Sequence, residues 1–117
     1  MEIQYAYKVL RKGSLRSIYA PYPASVYYEP GRWVEASIWL ARRGYHLMVF
    51  KTLEDARLFR SSGLHVIWLC EVEGVETGLP EICCMLGLYN GQLEPVGGFW
   101  PEGTIMARKV KLVKIVE

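Results

Sequence analysis

The stretch RRGYHLMVFKTLEDARLF, residues 42–59, carries strand, cap and helix signals in immediate succession, and its reading decides the fold. Gly44 is followed by Tyr45, His46, Leu47, Met48, Val49 and Phe50, a nearly unbroken apolar run of strand length with no turn residue inside it, which reads as a buried strand. Thr52 then offers an N-cap hydroxyl, and Glu54 and Asp55 place negative charge where the free N–H groups and the dipole of a starting helix favour it. From Leu53 onward, Leu53, Ala56 and Phe59 form a short apolar stripe with Leu58 at its edge. Glu54, Arg57 and Arg60 face water, and Ser61-Ser62-Gly63 stops the helix. A strand, a cap, a short helix and a stop thus make one unit on which the rest of the chain is arranged.

Upstream of it, Ile3, Tyr5, Tyr7 and Val9 alternate with Gln4, Ala6 and Lys8, a period-two pattern that predicts a half-buried strand up to Arg11. Lys12-Gly13-Ser14 makes a turn, and residues 15–19 can return as a short strand before Pro21 and Pro23 prevent regular pairing. Extended structure resumes at 26–29 and meets Pro30-Gly31, the centre of a tight turn. Residues 32–43 fit two readings. Val34, Ile38 and Ala41 with Gly44 behind them suit a capped helix, whereas 32–36 suit a strand.

Downstream, residues 65–72 are dense in β-branched and aromatic side chains and predict a central strand ending in the glycine-bearing stretch 73–80. A further strand is expected within 82–88. The glycine-rich passage 89–103 reads as a long loop or loose hairpin and a candidate lid. Residues 104–116 close the chain as a strand whose apolar residues switch faces, from Val110 and Leu112 to Val113 and Ile115, so a bulge or strand end is expected near Leu112. No internal repeat or linker interrupts the pattern. The fold class that follows is α+β in one domain spanning 1–117: a mostly antiparallel, twisted sheet of about five to seven strands with one or two short helices.

Composition narrows the class further. The chain has 117 residues, 51% hydrophobic and 22% charged, which is the balance of a globular protein. No apolar run approaches the ~20 residues of a membrane span, and residues 1–13 contain an acid and no continuous apolar segment, so no membrane partner, signal peptide or anchor is expected and the cytoplasm is the expected location. A net charge of +2 names no partner. Cys70, Cys83 and Cys84 are odd in number and lack C-x-x-C spacing, which argues against a disulfide framework and a structural zinc site and leaves them as small buried hydrophobes. Asparagine and glutamine number only three (Gln4, Asn90, Gln92), a scarcity often met in proteins from hot environments.

No coherent catalytic set stands out, and no metal or cofactor is assigned. His46 lies in the apolar run beside Arg42 and Arg43, where positive neighbours favour a neutral imidazole able to act as acid, base or ligand contact; a satisfied core or edge histidine is the plainer reading. Tyrosines and Trp33 crowd the first third of the chain and could stack a base or a nicotinamide ring, although core and interface packing is the plainer reading. Tyr7, Trp33, Arg43 and Tyr45 are the ligand-binding candidates. Arg108, Lys109, Lys111 and Lys114 form the one basic set, on a strand whose remaining positions are apolar, so a solvated face is expected there rather than a nucleic-acid groove.

The order of motifs, YKVL at Tyr7, YEPGRW at Tyr28, RRGYH at Arg42, Ala56 and Phe59 in the helix, VIWLCEVEG at Val66 and TIMARKVKLV at Thr104, resembles a family of small proteins of unknown function from prokaryotes and their viruses. That family tends to carry a cysteine where this chain has Ala41. The resemblance implies a strand at 32–36 and a viral or mobile-element origin, and carries no activity across. A second likeness follows YKVLR, VFKTLEDA and PEGTIMARKV, an order similar to the layout of ADP-ribosyltransferases, which use a first-strand Arg or His, a second-strand Ser, Thr or Tyr, and a Glu on a later strand before a P-x-G-T turn. Arg11, Thr52 and Phe50 match the first two by type. Residues 96–100 hold no acid, and Glu102 lies within the turn itself.

Two functions are therefore carried forward: a non-enzymatic module that binds a protein partner or itself, and a nucleotide (NAD)-handling or catalytically degenerate ADP-ribosyltransferase-like protein with Arg11, His46 and Thr52 facing a common cleft.

Overall fold

In a computed structural model, the chain is described at residues 4–13, 27–36, 38–42, 44–60, 63–76, 78–79, 84–86, 93–95, 100 and 102–117, with backbone alone at 39, 40, 84–86 and 93–95. The described residues form seven strands and two helices, in the order β1 (Gln4–Arg11), β2 (Trp33–Glu35), α1 (Ile38–Ala41), β3 (Leu47–Phe50), α2 (Leu53–Phe59), β4 (His65–Glu76), β5 (Cys84–Leu86), β6 (Leu93–Pro95) and β7 (Thr104–Ile115). Every pairing is antiparallel. Five strands form one sheet in the order β2-β7-β3-β1-β4, and β4 pairs back onto β7, so β7, β3, β1 and β4 close on themselves as a four-stranded barrel, with β2 on β7 beyond the end of β3. The antiparallel sheet with a packed helix is as expected. The expected twisted sheet is, more closely, a closed one, because the long β4–β7 ladder joins its ends.

The strand, cap and helix unit at the centre of the sequence forms as read. Thr52 is the N-cap, its hydroxyl accepting from the Asp55 backbone N–H, and Glu54 and Asp55 occupy the first turn. Leu53, Ala56 and Phe59 pack on Val9, Phe50 and Ile67, while Leu58 stays exposed. The helix ends at Phe59 with Arg60 as its extended C-cap; Ser61 and Ser62 lie outside the described residues. The strand is shorter than the apolar run, since Tyr45 and His46 precede it.

Both readings of 32–43 occur in succession. The Pro30-Gly31 turn closes with Arg32 N–H donating to the Glu29 carbonyl, β2 follows, and the single turn α1 comes after it. β2 and β3 pair with the same side of β7, end to end: Glu35 lies opposite Lys109 and Leu47 opposite Ala107. They are one strand interrupted by residues 36–46. β7 turns over at the same level, since Ile105 and Ala107 face the core, Arg108 and Lys109 are both exposed, and Val110 and Leu112 face the core again. β4 turns with it at Gly74, whose φ of +66° favours glycine. A Cβ there would press on the Arg108 side chain at 3.0 Å, which instead crosses the bare backbone to reach Glu76.

The bulge expected near Leu112 is present. Leu69 pairs with Lys114 and Cys70 with Leu112, which leaves Val113 as the extra residue. Residues 15–19 lie outside the described residues, as does most of the candidate lid; within it, Leu93–Pro95 pairs with Cys84–Leu86 as a hairpin.

Burial corrects the reading of β1. The more apolar odd face was expected to be the buried one, yet Ala6, Lys8 and Leu10 line the barrel, and the odd residues Tyr7 and Val9 meet α2 on the outside. Tyr5, beyond the helix, is 61% exposed. A strand covered by a barrel on one side and a helix on the other has no dry face and wet face to alternate.

Candidate functional site

The residues proposed from sequence do not gather at one point. His46 and Thr52 bracket β3, six residues apart in sequence and roughly 20 Å apart at the rise of an extended chain. Arg11 ends β1 opposite His65, and the antiparallel Tyr7–Phe50 register sends that end of β1 toward the His46 side of the barrel, away from Thr52. The Thr52 hydroxyl is engaged with Asp55, accepting from its N–H at 3.1 Å and donating to its carboxylate at 2.8 Å. His46 Nε2 stands 4.0 Å from Glu76, the carboxylate that Arg108 also grips. Tyr7 is half-buried under α2, Tyr45 lies 6.3 Å from the Trp100 ring, and Arg43 is outside the described residues.

Of the basic set, Arg108 is paired with Glu76 and Lys111 with Glu71 at 2.8 Å, while Lys109 lies 4.0 Å from Glu35. Their charge is met within the sheet, as cross-strand ion pairs on an antiparallel face arrange it. Lys114 is exposed on the bulged end of β7. Among the described residues, no three potential metal ligands come together and no helix is long and apolar enough to cross a membrane.

Two other constellations do gather. The first is a row across the outside of the sheet. Trp33 of β2 stands opposite Lys111 of β7, Lys111 opposite Glu71 of β4, and Glu71 opposite Tyr5 of β1. Lys111 Nζ lies 4.9 Å from the centre of the Trp33 ring while bonding Glu71, so one ammonium joins a cation–π contact to an ion pair. The adjacent row, Glu35, Lys109 and Glu73, repeats the alternation of sign. Trp33 is 37% exposed; with Tyr5 it puts aromatic surface at both ends of a charged pair.

The second constellation is inside. Lys8 is buried in the barrel opposite Trp68 of β4. The β1–β3 seam carries a single register pair, and the Lys8 ammonium donates across it to the Met48 carbonyl at 2.6 Å. It also stands 5.6 Å from the centre of the Tyr28 ring. Burial pulls the Lys8 ammonium down to about 8, with Cys70 acting in the opposite sense. The Cys70 thiol is pushed up to about 12 by burial, against the pull of Lys8, and burial raises the Tyr28 phenol as well. The Tyr28 hydroxyl and the Trp68 indole N–H are buried with no hydrogen-bond partner among the described residues. Sequence reading placed Lys8 on a polar face and passed over it. The signal was the nearly continuous apolar run YAYKVL around it, which marks a strand covered on both sides.

No protein-family model, curated protein or solved structure matches this chain.

Proposed function

We propose that this chain is a non-enzymatic interaction module that associates with a second copy of itself through the outer row on β2, β7, β4 and β1. The observation that carries the reading is the juxtaposition of exposed Trp33 and Tyr5 with the Lys111–Glu71 pair. Aromatic side chains on a rigid sheet supply interface area at little conformational cost, and they are enriched at the cores of protein interfaces. Rows of alternating sign, Lys111 and Glu71 beside Glu35, Lys109 and Glu73, are complementary to an identical face turned by half a rotation. β2 adds to this, since among the described residues it pairs with β7 alone.

Sedimentation of the wild type and of Trp33→Ala across a concentration series tests it. The wild type should pass from monomer to dimer or larger species, and Trp33→Ala should remain monomeric with unchanged circular dichroism. A wild type that stays monomeric throughout, or an assembly indifferent to Trp33→Ala, would end the proposal.

A further inference from the structure

Among the described residues, the barrel interior holds polar groups with hydrogens to donate and no acceptor assigned to them. Lys8 uses one of its three N–H groups on the Met48 carbonyl, and among the described residues no carboxylate pairs with it. The Tyr28 hydroxyl, on a fully buried residue, and the Trp68 indole N–H add two donors that have no partner among the described residues. Lys8 and Trp68 are cross-strand neighbours, the Lys8 ammonium lies beside the Tyr28 ring, and Tyr28 and Trp68 belong to one cluster with Leu10, Val49, Cys70 and Leu112. Buried polar groups in native proteins find partners, and a buried charge finds a counter-charge or a polar network. Three donors with one net positive charge inside apolar walls are the complement of an acceptor that brings one negative charge and an apolar body.

We propose that Lys8, Tyr28 and Trp68 bind a small monoanionic carboxylate with an apolar substituent inside the barrel. One carboxylate oxygen accepts from the Lys8 ammonium, the Tyr28 hydroxyl and Trp68 indole N–H donate to its remaining lone pairs, and the substituent lies against the aliphatic lining. The charge count selects the class. A phosphate dianion would leave an excess negative charge in the interior, and a water molecule would satisfy donors and leave the ammonium uncompensated. Lys8 and Trp68 are each only 8% exposed, so entry requires local opening, and the β1–β3 seam with its single register pair is the weakest closure of the barrel.

Thermal unfolding in acetate, butyrate and benzoate, against chloride and phosphate at matched ionic strength, tests the site in the wild type, Lys8→Met and Tyr28→Phe. The expected result is a saturable rise in Tm of about 5 °C when the carboxylate reaches roughly ten times its Kd, larger for butyrate or benzoate than for acetate. The rise should vanish in Lys8→Met and need several-fold more carboxylate in Tyr28→Phe, which keeps the ring and removes only the hydroxyl. The proposal is overturned if no carboxylate exceeds chloride, if phosphate acts as strongly, or if the rise survives in Lys8→Met. Should Lys8→Met not fold, the wild-type series and Tyr28→Phe decide alone.

Discussion

Lys8 and Lys111 show how differently one side chain is accommodated on the two faces of the same barrel. Lys111, on the outside, is paired with Glu71 at 2.8 Å and lies over the Trp33 ring. Lys8, on the inside, has a carbonyl and an aromatic ring for company, and burial moves its ammonium down to about 8. The outer face spreads charge over partners that water helps to solvate. The inner face concentrates a desolvation cost in one group, and so stability should respond sharply to changes inside and weakly to changes outside.

The largest contrast is expected between two neighbours on β7. Leu112 is 1% exposed in the core and Val113 is the outward bulge residue, 44% exposed. Leu112→Ala should cost about 3 kcal/mol in denaturant unfolding, from lost transfer energy and the cavity left behind. Val113→Ala should cost no more than about 0.5 kcal/mol. Equal losses would mean that inside and outside have been misplaced.

Next in size is Lys8→Met. A fall from the usual 10.5 to about 8 corresponds to about 3 kcal/mol of unfavourable burial at neutral pH. Loss of the bond to Met48 offsets about 1 kcal/mol of that, so a net gain of about 2 kcal/mol is expected. A destabilised Lys8→Met would show that the bond across the seam outweighs the buried charge.

The pH dependence is smaller and its sign is fixed. Between about 8 and 10.5 the unfolded chain holds the Lys8 proton and the folded chain has released it, so stability rises with pH there. Cys70 works against this from its usual 9.0 upward, because the folded state keeps a proton that the unfolded state loses, and Tyr28 adds to the opposition at higher pH. The wild type should gain about 0.5 kcal/mol from pH 8 to 9 and then level off and decline. In Lys8→Met the gain should be absent and the decline should begin near pH 8.5.

The smallest effect belongs to the outer row. A double-mutant cycle on Lys111→Met and Glu71→Gln should give a coupling of about 0.5 kcal/mol that shrinks with added salt. A coupling several times larger would place that pair in the same desolvated class as Lys8.

What could be read in the sequence was what depends on neighbours along the chain. Thr52 with Asp55, the stripe of Leu53, Ala56 and Phe59, the Pro30-Gly31 turn and the bulge at Val113 each follow from a few consecutive residues. Barrel closure depends on β4 meeting β7, whose paired residues are 30 to 47 positions apart, and no local pattern reports that. The same limit governed the candidate sites. Arg11, His46 and Thr52 could share a cleft only in one register, and the register observed places Arg11 and Thr52 toward opposite ends. Trp33 was a candidate by residue type, but its partners Lys111, Glu71 and Tyr5 come from three other strands. Lys8 was passed over because alternation on β1 was taken as a dry side against a wet one.

The interruption between β2 and β3 has an engineering consequence. Glu35 and Leu47 sit almost beside each other along β7, and the four strands of the barrel close without any residue from 36–46. The length and sequence of that excursion are therefore not set by the ladders that close the barrel, while Ala36 packs on the core at its start and Tyr45 and His46 make contacts at its end. It is the natural port for a grafted peptide or a reporter, presented beside Trp33 on a scaffold that need not be rebuilt to receive it.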